Sequence, residues 1–316
     1  ILSDFVTSSY GVFPRNDLVY ATLADLEAGA NLLAHYRYAY YYNGNIMTKS
    51  VYDNTGTVKN DRYEEYTYNV YKTLTGKVFK FDGTSIAGDE TGDADGLWHR
   101  SSSFVTIGGQ LYAQNDLVYA TLADLEAAAP LLVHYVYTYD TADGSILTKT
   151  VYDNVGTTKN NKHEKYTYDM SEALQEKIFF FDGTSIAGDE IGTADNKWHK
   201  ASSFTTIGGQ LYAQNDLIYE TLANLEAGTP LLAHIVYTYD TDGSILTKTV
   251  YDNAGTTKNN QYEKYTNNAA GTLIEKIYYS NGATITPGVT EPATDNDGKW
   301  HKASSFTTIG GQLYAQ

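Results

Sequence analysis

Residues 302–316 (KASSFTTIGGQLYAQ) are identical, letter for letter, to residues 200–214, so the chain is built by tandem duplication of a long unit. Duplication constrains the fold more than any local pattern, because every copy must adopt one structure beside a neighbour of nearly the same sequence. Single landmarks give the phase. Trp98, Trp198 and Trp300 recur at intervals of 100 and 102 residues, and Asn16, Asn115 and Asn215 at 99 and 100. The register reaches the start of the chain, where Ser3-Asp4-Phe5-Val6-Thr7 aligns with Ser102-Ser103-Phe104-Val105-Thr106. The sequence therefore divides into a copy of a linking segment over 1–15 and repeat units over 16–114, 115–214 and 215–316, the last closing on a further linking segment, 302–316. Solenoid repeats run to roughly 20–50 residues. Units this much longer can own a hydrophobic core each, so beads on a string or a tightly docked row of domains are expected.

Composition narrows the function classes. The 316 residues include no cysteine, which removes disulfide frameworks, thiolate metal sites and cysteine nucleophiles. A formal net charge of −16 argues against a nucleic-acid partner, since phosphate contacts need clustered Lys and Arg. No apolar run reaches the roughly 18 residues of a membrane span, and no signal peptide is present, although a cleaved one leaves no trace. Tyrosine, with 30 residues against 10 Phe and 3 Trp, dominates the aromatic content. With abundant Thr, Asn and Gly, that usage suits twisted antiparallel sheets and polar turns, common in secreted and surface proteins.

The second copy shows the strand signals most clearly. Val133, Tyr135, Tyr137 and Tyr139 alternate along 133–139 and share one strand face. Thr141-Ala142-Asp143-Gly144 reads as a turn and Ile146–Tyr152 as the returning strand, with Asp153-Asn154-Val155-Gly156 as the next turn. Further strands are expected at 163–168, 174–181, 198–206 and 210–213, a meander of about six per unit. The expected fold class is thus mainly β, three antiparallel units with one short helix each. That helix is expected within 115–126, where Asn115 and Asp116 offer caps, Leu117, Val118, Leu122 and Leu125 approach helical spacing, and Pro130 follows. An extended connector is the alternative.

Tyr137-Thr138-Tyr139-Asp140 followed by Gly144, Val151-Tyr152-Asp153 followed by Gly156, and Tyr166-Thr167-Tyr168-Asp169 together resemble the strand-and-turn pattern of YD (Rhs-type) repeats. The third copy repeats it at Tyr237-Thr238-Tyr239-Asp240 with Gly243 and at Tyr251-Asp252 with Gly255. The resemblance implies a large extracellular or secreted β-structure. Its spacing differs from the family, whose repeat is longer and more uniform, and a helix-like insert interrupts every unit. A closed, toxin-encapsulating shell is not implied.

Several residues are candidates for chemistry. The pairs Trp98-His99, Trp198-His199 and Trp300-His301 recur once per unit, and an exposed Trp beside Tyr stacks sugar rings, which makes surface glycans a candidate partner. A single Trp per unit equally serves as a core anchor. His134 and His234, flanked by apolar neighbours and without a second ligand at metal spacing, read as structural. Acidic loops precede each Trp, with Asp89, Asp93 and Asp95 in the first copy, Asp189, Glu190 and Asp195 in the second, where Thr193 and Asn196 replace Asp93 and Gly96, and Asp295 and Asp297 in the third. Oxygen-rich loops bent at Gly are able to hold Ca²⁺, but none completes an EF-hand pattern, and solvated turns are the competing reading. Gly83-Thr84-Ser85-Ile86-Ala87-Gly88 places its second glycine one residue late for a nucleophile elbow. A Tyr/His polysaccharide lyase needs only a base, an acid and a charge neutraliser. Three near-equal copies, however, suit length, spacing or multivalency better than catalysis, so no enzyme is expected.

The linking segments differ in a directional way. Gly108-Gly109-Gln110-Leu111-Tyr112-Ala113-Gln114 corresponds to Ser9-Tyr10-Gly11-Val12-Phe13-Pro14-Arg15, where Pro14 removes a ladder donor and Arg15 adds charge, both devices that blunt a sheet edge. Segment 302–316 keeps the internal sequence unaltered. Its Phe306, Ile309, Gly310, Gly311, Leu313 and Tyr314 are candidates for assembly with a second copy by strand addition; folding back on the last unit, or continuation in a longer array, are the alternatives. Taken together, the sequence points to an extracellular structural repeat protein such as a filament, sheath, stalk or adhesin segment. A multivalent glycan-binding protein is the second reading.

Overall fold

The computed structural model describes residues 1–81, 94–182, 194–280, 298–304, 306–309 and 312–315. Among them the protein is mainly β, its described strand pairs antiparallel, with helices of only six residues. The chain forms two compact units, residues 1–159 and 160–316. No helix among the described residues is long and apolar enough to cross a membrane.

Unit 1 runs β1 (Leu2–Ser8), β2 (Gly11–Tyr20), α1 (Leu23–Ala28), β3 (Leu32–Tyr40), β4 (Ile46–Tyr52), β5 (Glu64–Tyr68), β6 (Leu74–Lys80), β7 (Trp98–Ile107), β8 (Gln110–Tyr119), α2 (Leu122–Ala127), β9 (Val133–Tyr139) and β10 (Ile146–Tyr152). Each strand pairs with the next, from β1–β2 through β9–β10. The turns are closed by side chains as well as backbone. Asn154 copies a strand neighbour, its Oδ1 accepting from Thr158 N at 2.8 Å and its Nδ2 donating to Thr158 O at 2.8 Å.

Unit 2 runs β11 (Glu164–Tyr168), β12 (Leu174–Phe181), β13 (Lys197–Ile207), β14 (Gln210–Tyr219), α3 (Leu222–Ala227), β15 (Ala233–Tyr239), β16 (Ile245–Tyr251), β17 (Glu263–Asn267), β18 (Leu273–Ser280) and β19 (Lys299–Ala303). A separate hairpin follows, β20 (Phe306–Ile309) with β21 (Gln312–Ala315). The expected strand order is present, with β9, β10 and β12 at the expected bounds. The positions that phase the sequence repeats, Asn16, Asn115 and Asn215, lie within β2, β8 and β14.

The helix is shorter than expected and starts later. Asn115–Val118 lie in β8, where they pair with β7 on one side and with β9 on the other. Two ladders outweigh the helical spacing of Leu117 and Val118. The cap is Thr121, whose side chain accepts from Asp124 N, and Thr22 and Thr221 do the same for α1 and α3. A six-residue helix is too short to hold itself together and depends on docking. Leu125 of α2 and Leu225 of α3 are buried accordingly, whereas α1 buries no residue.

Both faces of the sheet carry core, because alternation sends adjacent residues to opposite sides. In unit 1, Val51 packs with Ala34 and Tyr66, and its neighbour Tyr52 packs with Tyr63, Trp98, Tyr119 and Leu125 under α2. Unit 2 repeats the arrangement, with Ala233, Ile235, Val250 and Tyr265 in one cluster and Trp198, Tyr219 and Leu225 in the other.

Candidate functional site at the repeat junctions

The recurring site is the junction where one sequence repeat meets the next, and it is built on the long hairpin β7–β8. Trp98 opposes Tyr119 across that hairpin. Around the indole, Tyr52 comes from β4, Tyr63 from the residue before β5, Tyr119 from β8 and Leu125 from α2, with Leu122 packed against them. Trp98 is 3% exposed and Trp198 is 3% exposed, so neither offers a ring face to a sugar. Trp300 is 48% exposed, with Tyr262 at 6.1 Å and Tyr279 at 5.4 Å between ring centroids.

The histidine beside each buried Trp points to the opposite face. His99 Nδ1 donates to Asp116 Oδ2 at 2.7 Å, and Nε2 donates to the Asp95 carboxylate at 3.0 Å. Phe79 stacks on the ring at 5.2 Å. Burial works against charge on this imidazole, but its bonds to Asp116 and Asp95 outweigh that, and its pKa is raised. His199 repeats the geometry with Asp216 at 2.8 Å and Asp195 at 3.1 Å. There burial is overcome by the attraction of Asp216 and Asp195, raising the pKa to about 10. In each, both ring nitrogens of a buried imidazole face carboxylates, an arrangement that favours the charged form. His301 stacks on Tyr278 at 5.3 Å.

One difference separates the two clamps. Ser101 Oγ donates to Asp116 Oδ1 at 3.0 Å. The corresponding residue in the next copy is Ala201, which faces Asp216 across β13–β14, and Asp216 Oδ1 is buried with no hydrogen-bond partner. His35, His134 and His234 form a second class, consistent with the structural reading of the latter two. His134 Nδ1 donates to the Asn154 carbonyl at 3.3 Å, and its Nε2 lies 3.3 Å from the Asn115 side-chain amide. Burial lowers the pKa of all three.

A clasp completes each junction. Tyr112, near the tip of the β7–β8 hairpin, lies against the turn between β9 and β10, its ring 5.2 Å from Tyr139. Tyr139 Oη in turn donates to Ala113 O at 2.6 Å. The turn admits the Tyr112 ring only because residue 144 is glycine, at φ +83. Tyr212, Tyr239 and Gly243 repeat the clasp in unit 2, and Phe13, Tyr40 and Gly44 form it at the start of unit 1. Pro14, expected as an edge-blunting residue, lies in β2 and supplies the carbonyl for Tyr40.

The other expected site residues are placed as follows. Asp95 is engaged by His99 and by Leu97 N at 2.8 Å. Asp89, Asp93, Asp189, Glu190, Asp295 and Asp297 lie outside the described residues, as does the Gly83–Gly88 segment. Among the described residues, no group of three or more His, Asp or Glu side chains is arranged to hold a metal ion. Phe306 and Ile309 lie in β20, and Leu313 and Tyr314 in β21, while Gly310 and Gly311 are outside the described residues. The β20–β21 hairpin has the register of its internal twins: Thr307 opposes Tyr314 as Thr205 opposes Tyr212 and Val105 opposes Tyr112. Sequence reasoning missed Asp116 and Asp216 as partners of these histidines, and read Asp195, like Asp95, as part of an acidic loop. A signal existed, since both histidines precede their Asp by 17 residues.

No protein-family model matches the chain, and no curated protein matches it in sequence. Similar solved structures include a crystal structure of TcdB2-TccC3-Cdc42, at 13% identity and a TM-score of 0.23 over 85% of this chain. TcdB2-TccC3 without its hypervariable C-terminal region matches at 12% identity and 0.26 over 97%. The Tc holotoxin pore of Photorhabdus luminescens matches at 13% identity and 0.19 over 94%. The chain spans only 17%, 14% and 18% of those chains, respectively. Likeness at this level carries no functional argument, and function is argued from the junctions themselves.

Proposed function

We propose that this chain is a non-enzymatic structural repeat segment of an extracellular filament, sheath, stalk or adhesin, and that it associates with itself. The observation that supports this is the composition of the Trp98 core, drawn from two consecutive repeats. A repeat whose core is finished by its neighbour gives continuity along an array, which is what a structural element needs and a catalytic one does not. The conserved register of β20–β21 supports a role for segment 302–316 in self-association by strand addition. Burial of Trp98 and Trp198 weighs against the multivalent glycan reading.

Immunogold labelling of intact cells of the source organism, with antibody raised against the chain, tests the proposal. Label along surface structures is the expected result. Label confined to the interior of sectioned cells contradicts it.

A further inference from the structure

Each repeat places a lysine at the same point of its sheet, Lys49 in β4, Lys149 in β10 and Lys248 in β16, and all three side chains are half-buried. In the first two copies a tyrosine takes the ammonium. Lys49 Nζ lies 4.5 Å from the centre of the Tyr36 ring, and Lys149 Nζ lies 4.4 Å from that of Tyr135. A lysine over an aromatic face is held in its charged form, because the attraction lasts only while the nitrogen keeps its extra proton. Tyr36 faces Val51 across β3–β4, and Tyr135 faces Val151 across β9–β10. The third copy differs there. Ile235, facing Val250 and 3% exposed, holds the position of the two tyrosines and offers methyl groups in place of a ring.

Lys248 is thereby left in different surroundings from its equivalents. It opposes Tyr237 on β15 and Tyr265 on β17, and its Nζ lies 5.8 Å from the centre of the Tyr265 ring, against 5.2 Å for Lys49 and Tyr66. Among the described residues the Lys248 Nζ makes no hydrogen bond and no ion pair. Burial disfavours the charged amine by more than Glu263, Asp216 and Asp195 favour it, so the pKa of Lys248 is lowered. A lysine desolvated in this way populates its neutral form, and the neutral amine is a nucleophile.

We infer that Lys248 is a carbonyl-capture site that forms a Schiff base with small aldehydes, and that Ile235, standing where the other copies have Tyr36 and Tyr135, sets it apart from Lys49 and Lys149. The Nζ lone pair attacks the carbonyl carbon. The C=O bond is replaced by C=N, and the carbonyl oxygen leaves with the two amine protons as water. The surroundings suit an aldehyde better than an acyl donor. An imine nitrogen still accepts a proton and keeps the attraction of Glu263, Asp216 and Asp195, whereas an amide nitrogen does not. Tyr237 and Tyr265 on either side restrict the site to small reagents. The chemistry is the same wherever the chain is placed, so it stands apart from the proposed function.

Reductive methylation with limiting formaldehyde and cyanoborohydride at pH 7, followed by peptide mass spectrometry, tests it. Hydride converts each imine to a stable methylamine, and Val155 against Ala254 distinguishes the peptides of Lys149 and Lys248. Lys248 is expected to be labelled at least about threefold faster than Lys49 or Lys149. Ile235→Tyr should bring Lys248 down to the rate of its equivalents, and Tyr36→Ile should raise the rate of Lys49. Each substitution installs the residue that another copy carries at that position, and circular dichroism melting verifies that each variant is folded. Equal rates for the three lysines of the unmodified chain overturn the inference. So does a folded Ile235→Tyr chain in which Lys248 keeps its advantage, or a folded Tyr36→Ile chain in which Lys49 reacts no faster.

Discussion

A Cβ placed on Gly144 would fall 2.4 Å from the Tyr112 ring, a distance that no side chain accommodates without movement. The backbone at Gly144 also sits at φ +83, in the left-handed region. Gly144→Ala therefore combines strain with expulsion of Tyr112 from its clasp, and should destabilise unit 1 by about 2–4 kcal/mol in urea unfolding. Gly108→Ala is the control, because it shares a positive φ of +59 but has nothing within 4 Å of the added atom. It should cost only the backbone strain, about 1 kcal/mol. Equal losses for the two would show that the clasp contributes nothing.

Asp216 and Asp116 differ by one hydroxyl in their surroundings. Ala201→Ser supplies the donor that Asp216 Oδ1 lacks and should stabilise unit 2 by about 1 kcal/mol, while Ser101→Ala should destabilise unit 1 by about 1–3 kcal/mol. Thermal unfolding of both single variants is the measurement. The paired signs are the prediction, and a loss of stability in Ala201→Ser contradicts it.

Ala128 closes α2 at φ 55, where Gly29 and Gly228 close α1 and α3. An alanine in this conformation carries strain that glycine does not. Ala128→Gly should raise stability by about 0.5–1 kcal/mol, read from the urea midpoint at unchanged slope. A fall in the midpoint would mean that unfolded-state entropy outweighs the relief of strain.

The two histidine classes give opposite pH dependences. His199 has a folded pKa of about 10 against an ordinary 6.5, so its stabilisation is complete below about pH 6.5 and is lost as pH rises towards 10. His134 is lowered, so its contribution is complete above its ordinary value of 6.5 and is lost as pH falls through the folded value. In an NMR titration, the His199 ring protons should hold the shifts of a charged imidazole through pH 8, while the His134 ring should titrate with a midpoint below 6.5. A common midpoint near 6.5 for both would contradict the clamp.

Strand periodicity was legible because its causes are local. The alternation of Val133, Tyr135, Tyr137 and Tyr139, with a Gly-containing turn beyond, sufficed to place β9. The helix was misread at its start because Leu117, Val118, Leu122 and Leu125 fit helical spacing whether or not the first pair is helical, and only pairing with β7 and β9 decides. The fate of the Trp residues was illegible for a stronger reason. Trp98 is buried by Tyr119 and Leu125, some 20 residues and more further along, so its own neighbourhood carries no sign of burial. The His99–Asp116 clamp likewise exists only once the β7–β8 register is known, and Asp95, expected as a cation ligand, serves that clamp.

The central claim is that consecutive repeats complete one another's cores, and hydrogen exchange with mass spectrometry on Trp98→Ala tests it most directly. Removing the indole should cost about 3–5 kcal/mol. The account predicts loss of amide protection together in β4 and β5, which flank Tyr52 and Tyr63 of the first repeat, and in β8 and α2 of the second. Loss confined to β7 and its immediate partners in the first repeat, with α2 still protected, would contradict it.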